Sequence, residues 1–380
     1  LTADTLSLSG HIVADLPSTN PDDLVGTVDI NNLSVTSGSQ HYSTDSLSLV
    51  ASGTPDNKSI VVKSDAINAE LTGQYKLTEM GQAVEQTVNQ YYNVPGYEQK
   101  NISPENWQLN ATIRTEGLVL QVAPSLQGSD SISVKAHLNT ASNDLGMTVQ
   151  TQKLVASGYE IDSLNATVQT AGNALNADVS IEGAKSASVQ LYRTALTAAV
   201  ANNQLDFTLD SKDKKNTTQY AIGGLLNQVG SGFKVSVKPD LTLDYSKWNV
   251  SPNNSVQYDS TGVIVNNLSL SQGGQSITIN STSPSPTAPI RVDLKNFEIA
   301  TITKLAHQDS LLASGTINGT AEITNPMGEM VFTSDIQVNN LVYKLDSIGD
   351  LQIKVDNKTA NAYTADVVLT GHNNDVHLTG

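Results

Sequence analysis

The chain contains no cysteine, and aromatic and charged residues are scarce. Its 380 residues are 5% aromatic and 15% charged. Without cysteine the chain has no disulfides, no thiolate metal ligands and no cysteine nucleophile. The low aromatic content argues against a carbohydrate-cleaving site built on paired carboxylates. The absence of disulfides does not decide the compartment, because a large protein with an adequate core folds without them.

Basic residues are also few. Lysine and arginine number 21 against 37 aspartate and glutamate residues, which gives a formal net charge of -16. Nucleic-acid affinity depends largely on cationic side chains, so we expect no nucleic-acid partner. An anionic membrane surface is disfavoured for the same reason, whereas contact with single lipid molecules remains open.

Long hydrophobic runs are absent, since no apolar stretch approaches the roughly 18 residues of a membrane span. The opening residues, LTADTLSLSG, have no initiator methionine, no basic segment and no apolar segment. We therefore expect the chain to be an internal piece of a longer protein.

The dominant pattern is an alternation of apolar and polar residues with period two, which is typical of β-strands. Strands at 46–53 and 67–73 and a pair around Gly273 and Gly274 each place aliphatic residues on one side. The pattern predicts a mainly β, antiparallel fold. The aliphatic residues selected from it are Leu47, Leu49, Ile67, Leu71, Leu268, Leu270, Ile277 and Ile279.

Two short words recur along the chain at unequal intervals. One is an Asn-Leu word, at 31–35, 266–270 and 339–343, with the related KNFEI at 295–299. The other is an Asp-Ser word at Asp45, Asp162 and Asp346. The intervals exclude a strict solenoid and favour repeated β-meanders. The Asp-Ser word is open to two interpretations, a repeated ligand or a polar turn at a strand entry.

One segment departs from period two. Residues 76–93 place Leu77, Met80, Val84, Val88 and Tyr91 at helical spacing, which predicts an amphipathic helix that ends before Pro95. A shorter helix is predicted at 300–308, and a Pro-rich break or linker at 282–289. The predicted segments are 1–75 (β-meander), 76–106 (helix and loop), 107–281 (β-repeats) and 282–380 (β-repeats after the break).

Motifs for catalysis or cofactor binding are lacking. HNNDVH brings His372, Asp375 and His377 together in sequence, but alternation sends His372 and His377 to opposite faces of a strand. DSKDKKN has Lys212 where a calcium loop needs an oxygen ligand, so a hairpin tip at Lys212–Asn216 is expected instead. No phosphate-binding loop or nucleophile elbow occurs. We expect no enzymatic activity, no cofactor and no metal.

The Asn-Leu words, the meanders that close on LTG and the stretches at 240–279 and 307–325 resemble the TamB branch of the AsmA-like proteins. The resemblance covers nearly the whole chain but consists of strand patterns. It implies a β-taco or partly open β-helix-like trough, elongated and antiparallel, with an apolar interior. It also implies a periplasmic location, an N-terminal inner-membrane helix outside this chain, and an outer-membrane barrel partner of the TamA or BamA type.

The expected function is therefore a hydrophobic groove that shields phospholipid acyl chains during transport between inner and outer membrane, in support of outer-membrane biogenesis. The eight aliphatic residues selected above are the groove candidates. The alternative is a structural β-repeat stalk or adhesin with a closed core and no lipid cargo.

Overall fold

The computed structural model describes residues 6–37, 40–187, 190–305, 313–357 and 363–380. Strand accounts for 66% of the residues, and strands pair in antiparallel fashion, which confirms the predicted mainly β meander. The chain divides into two compact units. Unit 1 contains the described residues up to Leu205 together with Ser211–Asn216, and unit 2 contains Asp206–Asp210 and those from Thr217 onward.

Unit 1 is an open antiparallel meander in which each strand from β1 to β11 pairs with the next one. Among its described residues no pairing joins β1 to β11. The strands are β1 (Leu6–Asp15), β2 (Gly26–Ser37), β3 (Gln40–Thr54), β4 (Asn57–Ser64), β5 (Ile67–Gln74), β6 (Asn106–Ile113), β7 (Ile132–Asn139), β8 (Asp144–Ala156), β9 (Tyr159–Ala171), β10 (Ala174–Lys185) and β11 (Gln190–Ala201). Strand β12 (Gln204–Lys212) has residues in both units.

Unit 2 is also an antiparallel β-structure, but its first strands pair out of chain order. Strand β14 pairs with β17 and β16 pairs with β19, whereas from β19 to β26 each strand pairs with the next. The strands are β13 (Thr218–Val229), β14 (Gly232–Val237), β15 (Asp240–Leu243), β16 (Ser246–Val250), β17 (Ser255–Asp259), β18 (Gly262–Asn266), β19 (Leu268–Gln272), β20 (Gln275–Ser281), β21 (Ile290–Glu298), β22 (Ala313–Thr324), β23 (Val331–Tyr343), β24 (Asp346–Asp356), β25 (Thr364–Gly371) and β26 (Asn374–Thr379).

The predicted long helix is present but shorter than expected. Helix α1 spans Met80–Asn89, and the residues before and after it form turns, with Tyr91 N–H donating to the Val88 carbonyl. A short helix that the alternation did not reveal, α2, spans Leu118–Val122, and α3 spans Ile299–Leu305. The last residues of the predicted 300–308 helix lie outside the described residues.

Helix α1 is an insertion between two strands that pair directly. Strands β5 and β6 keep an unbroken register from Ile67 opposite Ile113 to Gln74 opposite Asn106. The Pro-rich 282–289 segment is likewise a loop between paired strands, because Ser281 lies opposite Ile290. Neither segment interrupts the sheet of its unit, and the division between the units lies elsewhere, near residues 205–217.

The Asn-Leu word marks backbone kinks. The asparagine at its second position has a positive φ in all four copies, from 46° to 52°, at Asn32, Asn267, Asn296 and Asn340. Asparagine tolerates this left-handed conformation better than most residues. In unit 2 the N–H groups of these asparagines donate to side-chain oxygens of Asn280, Asn318 and Asp350 at 2.6–2.8 Å. The word therefore encodes a β-bulge or strand break with a side-chain cap, which explains its recurrence without a ligand.

Candidate functional site

One face of unit 1 carries a row of aliphatic residues that crosses all eleven strands. Residues directly opposite each other in neighbouring strands lie on the same face of a sheet. Leu49 lies opposite Val28 on one side and Val62 on the other, and the register continues outward in both directions. This central row consists of Ala14, Val28, Leu49, Val62, Ala69, Ala111, Val134, Val149, Ala166, Val179 and Leu196.

A second aliphatic row runs beside the central row on the same face. This inner row consists of Gly26, Ala51, Ile60, Leu71, Leu109, Ala136, Met147, Val168, Ala177 and Ala198. On the other side of the central row, Leu47 pairs with Ile30, and Ile67 pairs with Ile113. The four unit 1 candidates, Leu47, Leu49, Ile67 and Leu71, therefore share one face, here called the apolar face.

The opposite face of unit 1 is polar. Each strand places a polar residue next to its central-row residue, on the side away from the inner row. Over nine strands the register aligns Asp29, Ser48, Lys63, Asn68, Thr112, Ser133, Gln150, Asn165 and Ser180. The two faces thus differ in polarity along almost the whole width of the unit. Burial of apolar area of this kind is favourable and non-directional.

Much of the central row is not filled by side chains of the chain itself. Val28, Leu49, Val62, Val134 and Val149 are half-buried, and Leu196 is 38% exposed. A packed core would leave such residues almost fully buried. The middle of the apolar face is consequently open to an apolar occupant.

One end of the apolar face is covered by helix α1. Under it, Leu71, Trp107, Leu138, Leu145 and Leu175 form a buried cluster. The helix contributes the fully buried Ala83 and the partly buried Met80, Val84 and Val88. The flanking turns contribute Leu77 and Tyr91, so the residues that predicted the helix all pack here. Of the eight groove candidates, Leu71 alone lies in a buried cluster, with 8% of its surface exposed.

Hydrogen bonds to three carboxylates hold the N-terminal side of α1. Asp22 accepts from the Thr78 N–H at 3.0 Å and from the Thr78 hydroxyl at 2.6 Å. Glu79 accepts from the Ser103 N–H at 2.6 Å, and Glu105 accepts from the Lys76 N–H at 2.9 Å. These contacts tie the two legs of the insertion to each other and to the segment before β2.

The C-terminal side of α1 is tied to the turn after β11. Asn93 N–H donates to the Asn203 side-chain oxygen at 3.0 Å, and Asn203 N–H donates to the Tyr91 carbonyl at 2.9 Å. Helix α1 is therefore held on one side by Asp22, in the segment before β2, and on the other by the turn after β11.

The pKa values around α1 reflect these contacts. The hydrogen bonds from Thr78 lower the pKa of Asp22, and the bonds from Ser103 and Lys76 lower the pKa of Glu79. Burial raises the pKa of Glu105, which is 1% exposed, and raises the pKa of Tyr75 to about 12. Glu105 and Glu79 each accept a backbone N–H of the insertion, so both carboxylates help to position it.

Unit 2 has an apolar row of its own. Leu268 lies opposite Ile279, and Leu270 lies opposite Ile277, so the four remaining candidates also share one face. From Leu270 the register continues through Ile277, Leu294, Gly319, Ile336, Ile353, Val367 and Leu378. Leu270 and Ile277 pack against a buried cluster of Leu241, Trp248, Val250 and Phe297. This cluster fills part of the face, whereas Leu378 is 61% exposed.

The cavity of about 580 Å³ in unit 2 is lined mainly by polar and charged residues of β21–β26. Four of its charged residues have ionisable partners within the chain: Lys354 lies 3.5 Å from Asp335, Arg291 binds Asp293 at 2.9 Å, and Asp366 lies 2.6 Å from His377. This cavity offers no apolar lining comparable with the rows described above.

The sequence motifs that suggested metals do not converge. His377 contacts Asp366 on the neighbouring strand, and His372 lies in the turn before β26 with a φ of 50°. Within the described ranges no group of three or more histidine, aspartate or glutamate side chains is arranged to hold a metal ion. Lys212 ends β12, and the following residues form the turn before β13, as expected for a strand connection.

The alternation identified strands that carry the apolar face but did not identify most of the residues that line it. Val28, Val62, Val149 and Val179 belong to the central row, and their place in it depends on strand register. Alternation marks each strand in the sequence, whereas the alignment between strands is set by their pairing in the folded chain.

No protein-family model matches the chain, and neither a curated protein nor a solved structure does. Among the described residues, none of the helices has the length and apolarity that crossing a membrane requires.

Proposed function

We propose that this chain is a non-enzymatic periplasmic β-segment whose apolar face shields phospholipid acyl chains during their transport between inner and outer membrane. The observation that carries the proposal is the central row of unit 1, which is aliphatic on all eleven strands and not buried by the chain's own core. An uninterrupted row suits a ligand that slides, whereas a pocket for a fixed ligand needs only one position.

The energetics favour such a face. Exposing a sixteen-carbon acyl chain to water costs on the order of 12 kcal/mol, at roughly 0.8 kcal/mol per methylene. An aliphatic surface removes much of this cost while the polar head group stays in water. Because the attraction has no direction, it adds no strong barrier to movement along the row.

The side chains that pack on the apolar face near α1 favour an aliphatic ligand for that face. Where α1 covers the apolar face, the side chains that fill the space are Leu77, Met80, Val84 and Val88, which are flexible or branched aliphatic groups similar to hydrocarbon. The low aromatic content and the net charge of -16 favour neither sugars nor nucleic acids. A saturated acyl chain has the same chemistry as the helix face.

The wider role belongs to the same proposal. An inner-membrane helix and an outer-membrane barrel of the TamA or BamA type would contact parts of the protein outside this chain and place the segment between the two membranes. In that setting the polar face would contact solvent and the apolar face would carry lipid, in support of outer-membrane biogenesis.

A structural stalk or adhesin without cargo is the second candidate. It is favoured by the two buried clusters, around Trp107 in unit 1 and Trp248 in unit 2, because they show that parts of the apolar faces serve as ordinary core. On this view the open rows would be covered by other protein.

The two functions differ in what the purified chain contains. We expect native mass spectrometry and lipid extraction to detect phospholipid or fatty acid bound to the wild-type chain, and Leu49→Asp to reduce the amount several-fold. The matched control is Ser48→Asp, which places the same charge on the polar face of the same strand and should retain wild-type lipid. An empty wild-type chain, also after incubation with phospholipid vesicles, would favour the stalk or adhesin.

A further inference from the structure

We propose that helix α1 is a lid over a second, covered acyl-chain site at the end of the apolar face in unit 1. This site is the surface formed by Leu71, Trp107, Leu138, Leu145 and Leu175, here called the covered site. The inference rests on the proposed function, because it assigns hydrocarbon as the ligand of both the open and the covered part of the face.

The covered site continues the open one. The inner row passes through Leu71, Leu109 and Ala136, and Trp107 and Leu138 lie two residues further along the same strands, on the same face. Apolar side chains line both the open and the covered part of the face, and α1 lies over the covered part.

The sheet does not need α1 for its hydrogen bonds. Strands β5 and β6 pair through eight consecutive residue pairs, and the whole insertion leaves and returns at the end of this ladder. The leg from Gln90 to Glu105 has no helix or strand and contains Pro95 and Gly96, the latter with a φ of 77°. A segment of this kind can swing without breaking strand pairing.

The helix is held by a small number of polar contacts at its ends. Asp22 accepts from Thr78, Glu79 from Ser103 and Glu105 from Lys76 at the first leg. At the second leg the Asn203 side chain accepts from Asn93, and the Tyr91 hydroxyl donates to the Asn143 carbonyl at 3.4 Å. Between these ends the contact is apolar and therefore replaceable by an acyl chain, which would bury the same surface. Helix α1 thus occupies the covered site as an internal substitute for cargo.

The two tryptophans of the chain allow a direct test, since Trp107 lies in the covered site and Trp248 lies in unit 2. In a Trp248→Phe background, Trp107 is the only tryptophan. The probe is a fatty acid brominated along its acyl chain, which quenches tryptophan fluorescence on contact. The latch variant carries Asp22→Ala and Glu79→Ala, which remove the two carboxylates that accept from Thr78 and Ser103. The control carries Asp56→Ala and Glu116→Ala, which remove the same charge at exposed positions outside the insertion.

We expect little quenching of Trp107 in the parent and control proteins and several-fold more in the latch variant. A second variant replaces residues 76–105 with an Asn-Gly turn and should show quenching at least as strong. Equal quenching in the parent, latch and excised proteins, with fatty acid bound to all of them by extraction, would overturn the lid while leaving the proposed function intact. Absence of bound fatty acid from every form would overturn both.

Discussion

The open and covered parts of the apolar face in unit 1 are built from the same strands and the same kinds of residue. On β5, Ile67 is half-buried in the open part, whereas Leu71, four residues further on the same face, is 8% exposed beneath α1. The difference arises from a helix inserted between β5 and β6 and not from the strands themselves. Alternation makes a strand amphipathic, but its apolar side becomes core only where something covers it.

This comparison separates residues that stabilise the fold from residues available to a ligand. Trp107, Leu138 and Leu145 belong to the first group, and Leu47, Leu49 and Ile67 belong to the second. Truncating residues of the two groups should lower the free energy of unfolding by different amounts. The cover over the first group should also depend on the hydrogen bonds that Asp22 and Glu79 accept, and on pH.

The largest effect is expected from truncating the covered part. Leu138 is 1% exposed, so Leu138→Ala should lower the free energy of unfolding by about 2–5 kcal/mol through the cavity it leaves. Leu49→Ala, in the half-buried central row, should cost about 1 kcal/mol because less area is lost from burial. Urea unfolding followed by Trp107 fluorescence in Trp248→Phe reports on unit 1 for both variants.

Equal losses of unfolding free energy for Leu138→Ala and Leu49→Ala would contradict the division into covered and open parts, since they would show that the central row is packed core. The lipid content of the same two proteins provides a check, because Leu49→Ala should reduce it more than Leu138→Ala does.

An intermediate effect is expected from the latch at Asp22. Asp22→Asn weakens two charge-assisted hydrogen bonds to Thr78 and should lower the free energy of unfolding of unit 1 by about 1 kcal/mol. Asp56→Asn, in the turn between β3 and β4, removes the same charge and should change it by much less. A double variant with Thr78→Val should add little to Asp22→Asn, and full additivity would contradict the latch.

The smallest effect is expected from mild acid. The lowered pKa values of Asp22 and Glu79 mean that their ionised forms stabilise the folded state above their ordinary values of 3.8 and 4.5, and that this stabilisation is lost as the pH falls through the lowered values. Glu105 acts in the opposite direction, because its raised pKa favours the folded state as it takes up a proton. Attachment of α1 should therefore weaken only below about pH 4.

Trp107 emission in the Trp248→Phe protein, recorded against pH, measures this attachment. The transition should be shallower in Asp22→Asn with Glu79→Gln, since those side chains no longer titrate. A loss of attachment near neutral pH would assign control of the helix to other groups.

Local patterns in the sequence were sufficient to predict the class of the fold. Period-two alternation predicted the antiparallel strands, and helical spacing from Leu77 to Tyr91 predicted α1, whose ends were set too wide because the flanking residues form turns. The repeated Asn-Leu word predicted a repeated local structure, and the positive φ at Asn32, Asn267, Asn296 and Asn340 shows it to be a kink.

The candidate site was predictable only in part. Leu47, Leu49, Ile67 and Leu71 were correctly grouped as residues on the apolar sides of their strands, but the sequence offered no reason to separate Leu71 from the other three. That separation depends on where α1 packs, which is a contact between segments far from the alternating pattern. Nor did alternation identify Asp22, Glu79 and Glu105, because carboxylates in turns look alike in sequence.

The sequence by itself determined that each strand has an aliphatic and a polar side, because side chains alternate along an extended backbone whatever its neighbours are. Only the tertiary structure decided that these sides align into unbroken rows, that α1 covers one end of the apolar face of unit 1, and which part of that face stays open. Register and cover arise from hydrogen bonds and packing between distant segments, and no local pattern encodes them.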